Sequence, residues 1–226
     1  MLNTSTKVIL FQFALLIATC AIGKVSKTEQ AMINQGMVDV QTLDSTIRVS
    51  LMYARPDNFT GKVLYTDITH AYLHPHAAKA LAQAQKFLKE KHPEWSLIVY
   101  DACRPMSVQQ QMWNVVAGTP KNIYVSNPAN GGGLHNYGMA VDISICNAKG
   151  DTITMGVPVD YLGNLAHIDR EAELVARKRL SSEAVRNRSL LREVMRKAGF
   201  TPLRSEWWHF NLISRATAKR YYKYVK

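Results

Sequence analysis

"MAVDISIC" (residues 139–146) decides the fold, because it sets one aspartate in the middle of an apolar run. Side chains alternate between the two faces of a β-strand, so Val141, Ile143 and Ile145 share one face and Asp142 takes the other. Branched apolar residues favour a strand in the core. A buried carboxylate without a partner costs several kcal/mol, roughly. Asp142 therefore needs a partner from elsewhere in the chain.

Two histidines are candidates for that partner. His135 lies in the glycine-rich stretch "GGGLHNYG" (residues 131–138), seven residues before Asp142, and glycines allow such a loop to bend back onto the strand. His209 lies far along the chain. Two imidazoles and one carboxylate form the three-ligand set of catalytic zinc sites, which keep a fourth position for water. We predict that His135, Asp142 and His209 bind one zinc ion per chain.

The stretch "SEWWHF" (residues 205–210) adds an acid to this set. Glu206 stands three residues before His209 and is predicted to be the catalytic base that takes a proton from water. The tryptophans between them are predicted to wall and dry the site. Residues i and i+3 of a straight strand face opposite sides, so the two ionisable groups converge only if the strand twists, bulges or ends there. A lone histidine is more often a hydrogen-bonded structural residue, and a tryptophan pair is more often core.

The rest of the chain mixes short strands and helices. The hydrophobic pattern predicts strands over 38–53, 96–101 and 206–212. It predicts one helix from Pro75 to before Pro93, a second from a capping box at Ser107 and Gln110 to Gly118, and a third from about Ser182 to Gly199. A short basic helix is predicted at the C terminus. There is no regular βαβ alternation. We therefore predict an α+β fold, with a small mixed or antiparallel sheet flanked by helices.

The N-terminal segment is predicted to be a targeting signal. Residues 1–23 carry one lysine, an apolar run and small residues at the end, which is typical of a secretory signal peptide. The alternative is a lipoprotein signal in which Cys20 becomes lipid-anchored. Both interpretations predict an exported protein, periplasmic or in the cell envelope. Residues 24–226 are predicted to form a single domain.

Composition limits the partners of this domain. The 226-residue chain has a formal net charge of +11, which suits an anionic envelope surface, although a basic solvated surface explains the charge equally well. The basic residues do not indicate nucleic acid as a partner. Cys103 and Cys146 have no CxxC spacing, so cysteine-based zinc binding is not predicted. Whether these two cysteines pair, and the oligomeric state, stay open.

Several motifs together carry a family resemblance. "HNYGMAVDISI" followed by "SEWWHF" resembles the zinc D-alanyl-D-alanine dipeptidases, the group that includes the vancomycin-resistance dipeptidase. The stretches "DNFTGKVLY", "YDACRPMSVQQQMW" and "MGVPVDY" agree with the same family. The resemblance spans about residues 38–215, and the motifs in this order are specific although each is weak alone.

The resemblance implies the roles of the site residues. It implies the small α+β fold of zinc D,D-peptidases, with His135, Asp142 and His209 as the zinc ligands. It also implies that Glu206 is the catalytic base, that Arg104 stabilises the oxyanion, and that Asp160 holds the amino group of the substrate. From the residues alone, Arg104 would be a surface salt-bridge partner. Asp160 would be a turn acid after Pro158.

One position departs from the family pattern. The family commonly carries a serine two residues before the first metal histidine, and this chain has Gly133. The departure leaves the dipeptide preference open. Either the amide of Gly133 replaces the hydroxyl, or the pocket accepts a larger substrate.

Together these features predict an exported zinc metallopeptidase that hydrolyses D-Ala-D-Ala or a related small dipeptide, in cell-wall turnover or D-alanine recycling. The alternative enzyme is a zinc D,D-carboxypeptidase or endopeptidase acting on longer peptidoglycan peptides. The alternative outside enzymes is a wall-binding module that keeps its metal for stability.

Overall fold

The computed structural model describes residues 25–226. The predicted signal segment 1–23, with Cys20, lies outside these residues. Within the described range, the strands are β1 (Val38–Asp39), β2 (Arg48–Val49), β3 (Tyr72–Leu73), β4 (Ser96–Asp101), β5 (Ala140–Cys146), β6 (Thr201–Leu203) and β7 (Glu206–Asn211). The α-helices of residues 25–226 are α1 (Lys27–Asn34), α2 (Pro75–Lys91), α3 (Met106–Val116), α4 (Glu171–Ala176), α5 (Ser182–Lys197) and α6 (Arg215–Tyr221).

A five-stranded mixed sheet forms the centre of the fold. Its strand order is β2-β4-β5-β7-β6, and β1 and β3 form a separate antiparallel pair. β2 runs parallel to β4, whereas the β4–β5, β5–β7 and β6–β7 pairs are antiparallel. β5 is the middle strand, so both of its edges are hydrogen-bonded and all seven of its residues are buried. The predicted α+β fold with a small mixed sheet is confirmed.

Helices cover the sheet because their apolar faces match it. α2 begins at Pro75, a favoured first helical position, and buries Ala77, Leu81 and Leu88. It packs against β4 and against α5. On β5, Val141 and Ile143 are fully buried. Within residues 25–226, no helix is long and apolar enough to cross a membrane.

Three local predictions need correction. The predicted strand over 38–53 is only β1 and β2 with a 3₁₀ turn between them and another after β2, because turn-forming Asp44 and Ser45 interrupt the alternation. α3 begins at Met106, where Pro105 leads into the helix, and the predicted Ser107 capping box does not form. Helices α1 and α4 were not predicted. The other predicted helices and strands are present, with ends shifted by a few residues.

The two cysteines of the described region are free, buried thiols. Cys103 follows β4, and Cys146 ends β5, where its thiol donates to the Ser96 carbonyl at 3.5 Å. Burial raises the pKa of Cys103 well above its usual range, so this thiol stays protonated and apolar in character. The chain therefore relies on packing here and not on a disulfide.

A buried glutamate joins the N-terminal helix to the domain. Glu29 is 2% exposed, and its Oε1 accepts hydrogen bonds from the backbone amides of Thr69 and His70 at 2.8 and 3.0 Å. Burial acts to raise the pKa of Glu29, but these bonds outweigh it and lower the pKa to about 2. Ionised Glu29 thus fixes α1 against the segment before β3.

We expect Glu29→Gln to lower the free energy of unfolding by about 2–3 kcal/mol at pH 7, because the charged acceptor of several bonds is lost. The folded-state pKa lies below the ordinary 4.5, so this stabilisation is complete above pH 4.5 and declines as the pH falls toward 2. Urea unfolding between pH 7 and pH 3 measures the difference. The exposed acid Glu94 offers a matched control, since Glu94→Gln should change little. A Glu29→Gln protein as stable as the parent at pH 7 would contradict the assignment.

Candidate metal centre and active-site cavity

The pairing of β5 with β7 brings Asp142 and His209 together. The two residues are direct partners in the antiparallel register, so their side chains project from the same face of the sheet. His209 Nδ1 lies 3.0 Å from Asp142 Oδ1. Two residues 67 positions apart are thus neighbours because the central strand pairs with β7.

His135 reaches the same point from a 3₁₀ turn just before β5. The turn covers Leu134–Tyr137 and ends at Gly138, whose φ of 64° is left-handed. A Cβ at this position would lie 2.7 Å from the backbone nitrogen of His74, so only glycine fits. The chain reverses here and enters β5, which places His135 above Asp142. The bend expected of the glycine-rich stretch therefore depends on Gly138.

The three side chains offer a metal-sized gap. His135 Nε2 lies 3.3 Å from Asp142 Oδ2 and 3.2 Å from His209 Nδ1. One ligand atom from each residue lies within 4.8 Å of the other two. Ligand atoms in a tetrahedral zinc site are about 3.3 Å apart when the bonds are about 2.05 Å long. The donor set and its spacing therefore fit a small divalent cation without rearrangement.

The outer hydrogen bonds of the imidazoles favour positive charge between the three side chains. His135 Nδ1 donates to the Ala102 carbonyl at 2.8 Å, and His209 Nε2 donates to Asn211 Oδ1 at 2.8 Å. Each neutral ring then turns a lone pair inward, toward the Asp142 carboxylate. Burial acts to lower the pKa of His135, yet Asp142 and Asp101 outweigh it and raise that pKa. Three acceptors facing one another thus attract positive charge.

Glu206 stands beside this set without joining it. Its Oε2 lies 4.0 Å from His209 Nδ1, and burial raises the pKa of Glu206 to about 7. The pairing of β6 with β7 is irregular: Pro202 pairs with Phe210, but the next residue pairs with Glu206. This bulge satisfies the condition for Glu206 and His209 to converge. A carboxyl with a pKa near neutrality can both accept and release a proton.

The two tryptophans differ in their surroundings. Trp208 lines the cavity that contains His135, Asp142 and His209, which we call the metal set. This agrees with the role suggested from sequence. Trp207 does not line this cavity; it is 1% exposed and lies below the buried guanidinium of Arg188, whose Cζ is 5.5 Å from the ring centroid. Of this pair, only Trp208 therefore lines the cavity, and Trp207 is core.

Arg104 is buried in the cavity wall, so the surface salt bridge considered from sequence is wrong. The residue is 7% exposed, and its guanidinium pairs with the fully buried Asp101 and donates to Gln109 Oε1 at 2.9 Å. Its Nη2 lies 3.9 Å from Asp142 Oδ2. Its backbone amide donates to the His135 carbonyl at 3.1 Å. A fixed positive charge therefore borders the metal set.

Asp160 faces the same cavity from the loop after Pro158. It has a left-handed φ of 69°, which is uncommon for a residue with a side chain. Its carboxylate accepts from the Tyr53 hydroxyl at 3.0 Å and from the Phe59 amide at 2.8 Å. Burial raises the pKa of Asp160 to about 7, although both hydrogen bonds act in the opposite direction. These contacts hold the carboxylate at the cavity wall.

All six predicted site residues line one cavity of about 820 Å³. The structure adds three further residues that sequence reasoning did not identify. Tyr53, Gln109 and Ser126 also line the cavity, and two of them contact Asp160 or Arg104 directly. Tyr53 lies 107 positions from Asp160, and no spacing in the sequence signals such a contact.

The chain is similar to one family model and to several known proteins. The Peptidase_M15 family model, described as D-ala-D-ala dipeptidase, matches residues 33–226. A protein of Escherichia coli strain K12 named D-alanyl-D-alanine dipeptidase is 30% identical over 181 residues, which cover 80% of this chain and 86% of that protein. Proteins with the same name from Synechocystis and Enterococcus faecalis are 33% and 24% identical over 162 and 199 residues. The matches cover 59% and 79% of this chain, and 66% and 92% of those proteins.

We expect purified protein to bind one zinc ion per chain and His135→Ala to bind much less, because two ligands remain in place of three. Elemental analysis and the rise in melting temperature on adding zinc are the measurements. His76, which is exposed on α2, gives the control: His76→Ala should bind zinc as the parent does. Equal zinc content in His135→Ala and the parent would show that the ion binds elsewhere.

Proposed function

Since this chain belongs to the Peptidase_M15 family of D-Ala-D-Ala dipeptidases, a family of metallopeptidases, we propose that it is a zinc-dependent hydrolase of D-Ala-D-Ala or a related dipeptide. The observation that carries the proposal is a three-ligand set with an unattached carboxylate beside it. His135, Asp142 and His209 would hold the metal, and Glu206 stands 4.0 Å from the nearest ligand nitrogen. A structural zinc site has four protein ligands and needs no neighbouring base.

Zinc suits this donor set of two imidazole nitrogens and one carboxylate oxygen. When bound, the ion supplies Lewis acidity, which polarises a carbonyl and lowers the pKa of water toward about 7. Glu206 accepts a proton from the attacking water on a carboxylate oxygen. It then delivers this proton to the amine nitrogen as the peptide bond breaks. The products are two amino acids, and the proton count balances.

A guanidinium and a carboxyl group in the cavity wall would orient the substrate. Arg104 is locked by Asp101 and Gln109, so it can stabilise negative charge on the scissile carbonyl oxygen without reorganising. Among residues 25–226, Asp160 accepts hydrogen bonds from Tyr53 and Phe59 alone, and its carboxylate can accept another from an ammonium group. A short peptide with a free amino terminus meets both requirements.

The cellular setting is also part of the proposal. Residues 1–23 resemble a secretory signal, which supports export to the periplasm or cell envelope, with a lipid anchor on Cys20 as the alternative. The net charge of +11 supports association with anionic envelope surfaces. The proposed roles are cell-wall turnover and D-alanine recycling.

Glu206→Ala is expected to keep its zinc and to lose activity by about 100- to 10,000-fold, because the group that moves the proton is gone while the ligands remain. Release of D-alanine from D-Ala-D-Ala and elemental analysis of the same sample provide the two measurements. Glu94→Ala, a change at the surface, is the control. An active Glu206→Ala enzyme would show that Glu206 is not the catalytic base. Zinc-loaded parent protein that does not hydrolyse D-Ala-D-Ala would favour the wall-binding module.

Extending the substrate at its amino end is expected to abolish turnover, since acetylation or added residues remove the ammonium that Asp160 would hold. Chromatography of the products compares D-Ala-D-Ala with three other peptides: N-acetyl-D-Ala-D-Ala, a pentapeptide ending in D-Ala-D-Ala, and L-Ala-L-Ala. Asp160→Asn should raise KM for the free dipeptide by about tenfold or more, as a charged hydrogen bond becomes neutral. The cavity of about 820 Å³ also has room for a longer peptide. Efficient cleavage of the pentapeptide would therefore make the enzyme a D,D-carboxypeptidase.

A further inference from the structure

The surroundings of Gly133 answer the question that its sequence position raised. Its amide already donates to Asn136 Oδ1 at 2.8 Å, so it is not a free donor for a substrate. The space beside its α-carbon is filled as well. A Cβ built at Gly133 would lie 2.7 Å from Ser126 Oγ and 3.1 Å from Ser126 Cβ. The backbone itself has an ordinary φ of −109°, so space and not conformation excludes a side chain here.

Ser126 therefore occupies the place of the missing side chain. Both residues line the cavity that contains the metal set. Ser126 is partly exposed, and among residues 25–226 its hydroxyl forms no hydrogen bond, whereas its carbonyl is bound. A hydroxyl that reaches the cavity and has no protein partner is available to a ligand.

A buried polar chain fixes Ser126 relative to Arg104. The Arg104 guanidinium donates to Gln109 Oε1 at 2.9 Å, and Gln109 Nε2 donates to the Ser126 carbonyl at 2.8 Å. Gln109 is 1% exposed, so both bonds are shielded from water and hold their geometry. The position of Ser126 is thus coupled to the cationic side of the site.

We propose that Ser126 binds the substrate, donating its hydroxyl hydrogen to an acceptor oxygen of the dipeptide from the space that a side chain at position 133 would take. We assign an acceptor atom of the ligand to this contact, because Arg104, to which Ser126 is linked through Gln109, offers only donors. The acceptor Asp160 is suited to the ammonium group instead. A carboxylate or carbonyl oxygen of the substrate meets this condition. The inference rests on the proposed dipeptidase function and identifies one residue that sets its substrate affinity.

The test exchanges the two residues. With the zinc-loaded protein and D-Ala-D-Ala, Ser126→Ala should raise KM by about tenfold with little change in kcat, because a ground-state hydrogen bond is lost. Gly133→Ser alone should lower kcat/KM as well, since the new Cβ would collide with Ser126. The exchange variant Ser126→Gly/Gly133→Ser should recover at least about tenfold in kcat/KM over Ser126→Gly, because the hydroxyl returns from the other residue without the collision.

Ser45→Ala, which removes an exposed hydroxyl that does not line the cavity, is the matched control and should change KM less than about twofold. Zinc content and melting temperature are measured for every variant to detect misfolding. An unchanged KM in Ser126→Ala, or an exchange variant no better than Ser126→Gly, would overturn the inference.

A binding experiment separates this inference from the proposed function. If the parent protein releases no D-alanine, the function fails, and calorimetric binding of D-Ala-D-Ala to zinc-loaded Glu206→Gln is compared with and without Ser126→Ala. Binding about tenfold weaker without the hydroxyl supports the contact. Equal binding, or no binding to either protein, contradicts it.

Discussion

The structure depends on three hydrogen-bond acceptors that are forced to face one another. The outer nitrogens of His135 and His209 donate to Ala102 and Asn211, so the inner lone pairs of both rings meet the Asp142 carboxylate at 3.0–3.3 Å. Such an arrangement is unfavourable without positive charge at its centre. A bound divalent cation would relieve this repulsion, so metal binding would stabilise the folded protein.

The sheet is organised to deliver these residues. β5 is the central strand and carries Asp142, while the register with β7 places His209 opposite it. Pairing irregularities lie on both sides of Asp142: β4 skips a residue between Val99 and Asp101, and β6 pairs unevenly with β7. Bulges of this kind redirect side chains next to active sites. Here they turn Asp101 toward Arg104 and bring Glu206 near His209.

The sequence predicted the parts of the site that regular structure carries. Asp142 was identified because an acid in the middle of an apolar strand needs a partner to offset its burial. The long helices α2 and α5 follow from apolar periodicity and capping residues. The strand over 38–53 was wrong because short β-bridges and 3₁₀ turns have no strong period. Arg104 and Asp160 came from the family resemblance alone, since burial of a charged residue in a loop leaves no sequence pattern. Tyr53, Gln109 and Ser126 were missed for the same reason: their contacts depend on tertiary structure.

The most direct test is zinc K-edge X-ray absorption of the fully loaded protein, which reports the ligands of the ion itself. We predict four-coordinate zinc with nitrogen and oxygen ligands at about 2.0–2.1 Å and the scattering of two imidazoles. The two buried thiols, Cys103 and Cys146, should contribute nothing. A sulfur shell at about 2.3 Å, or a count of imidazoles other than two, would contradict the proposed centre.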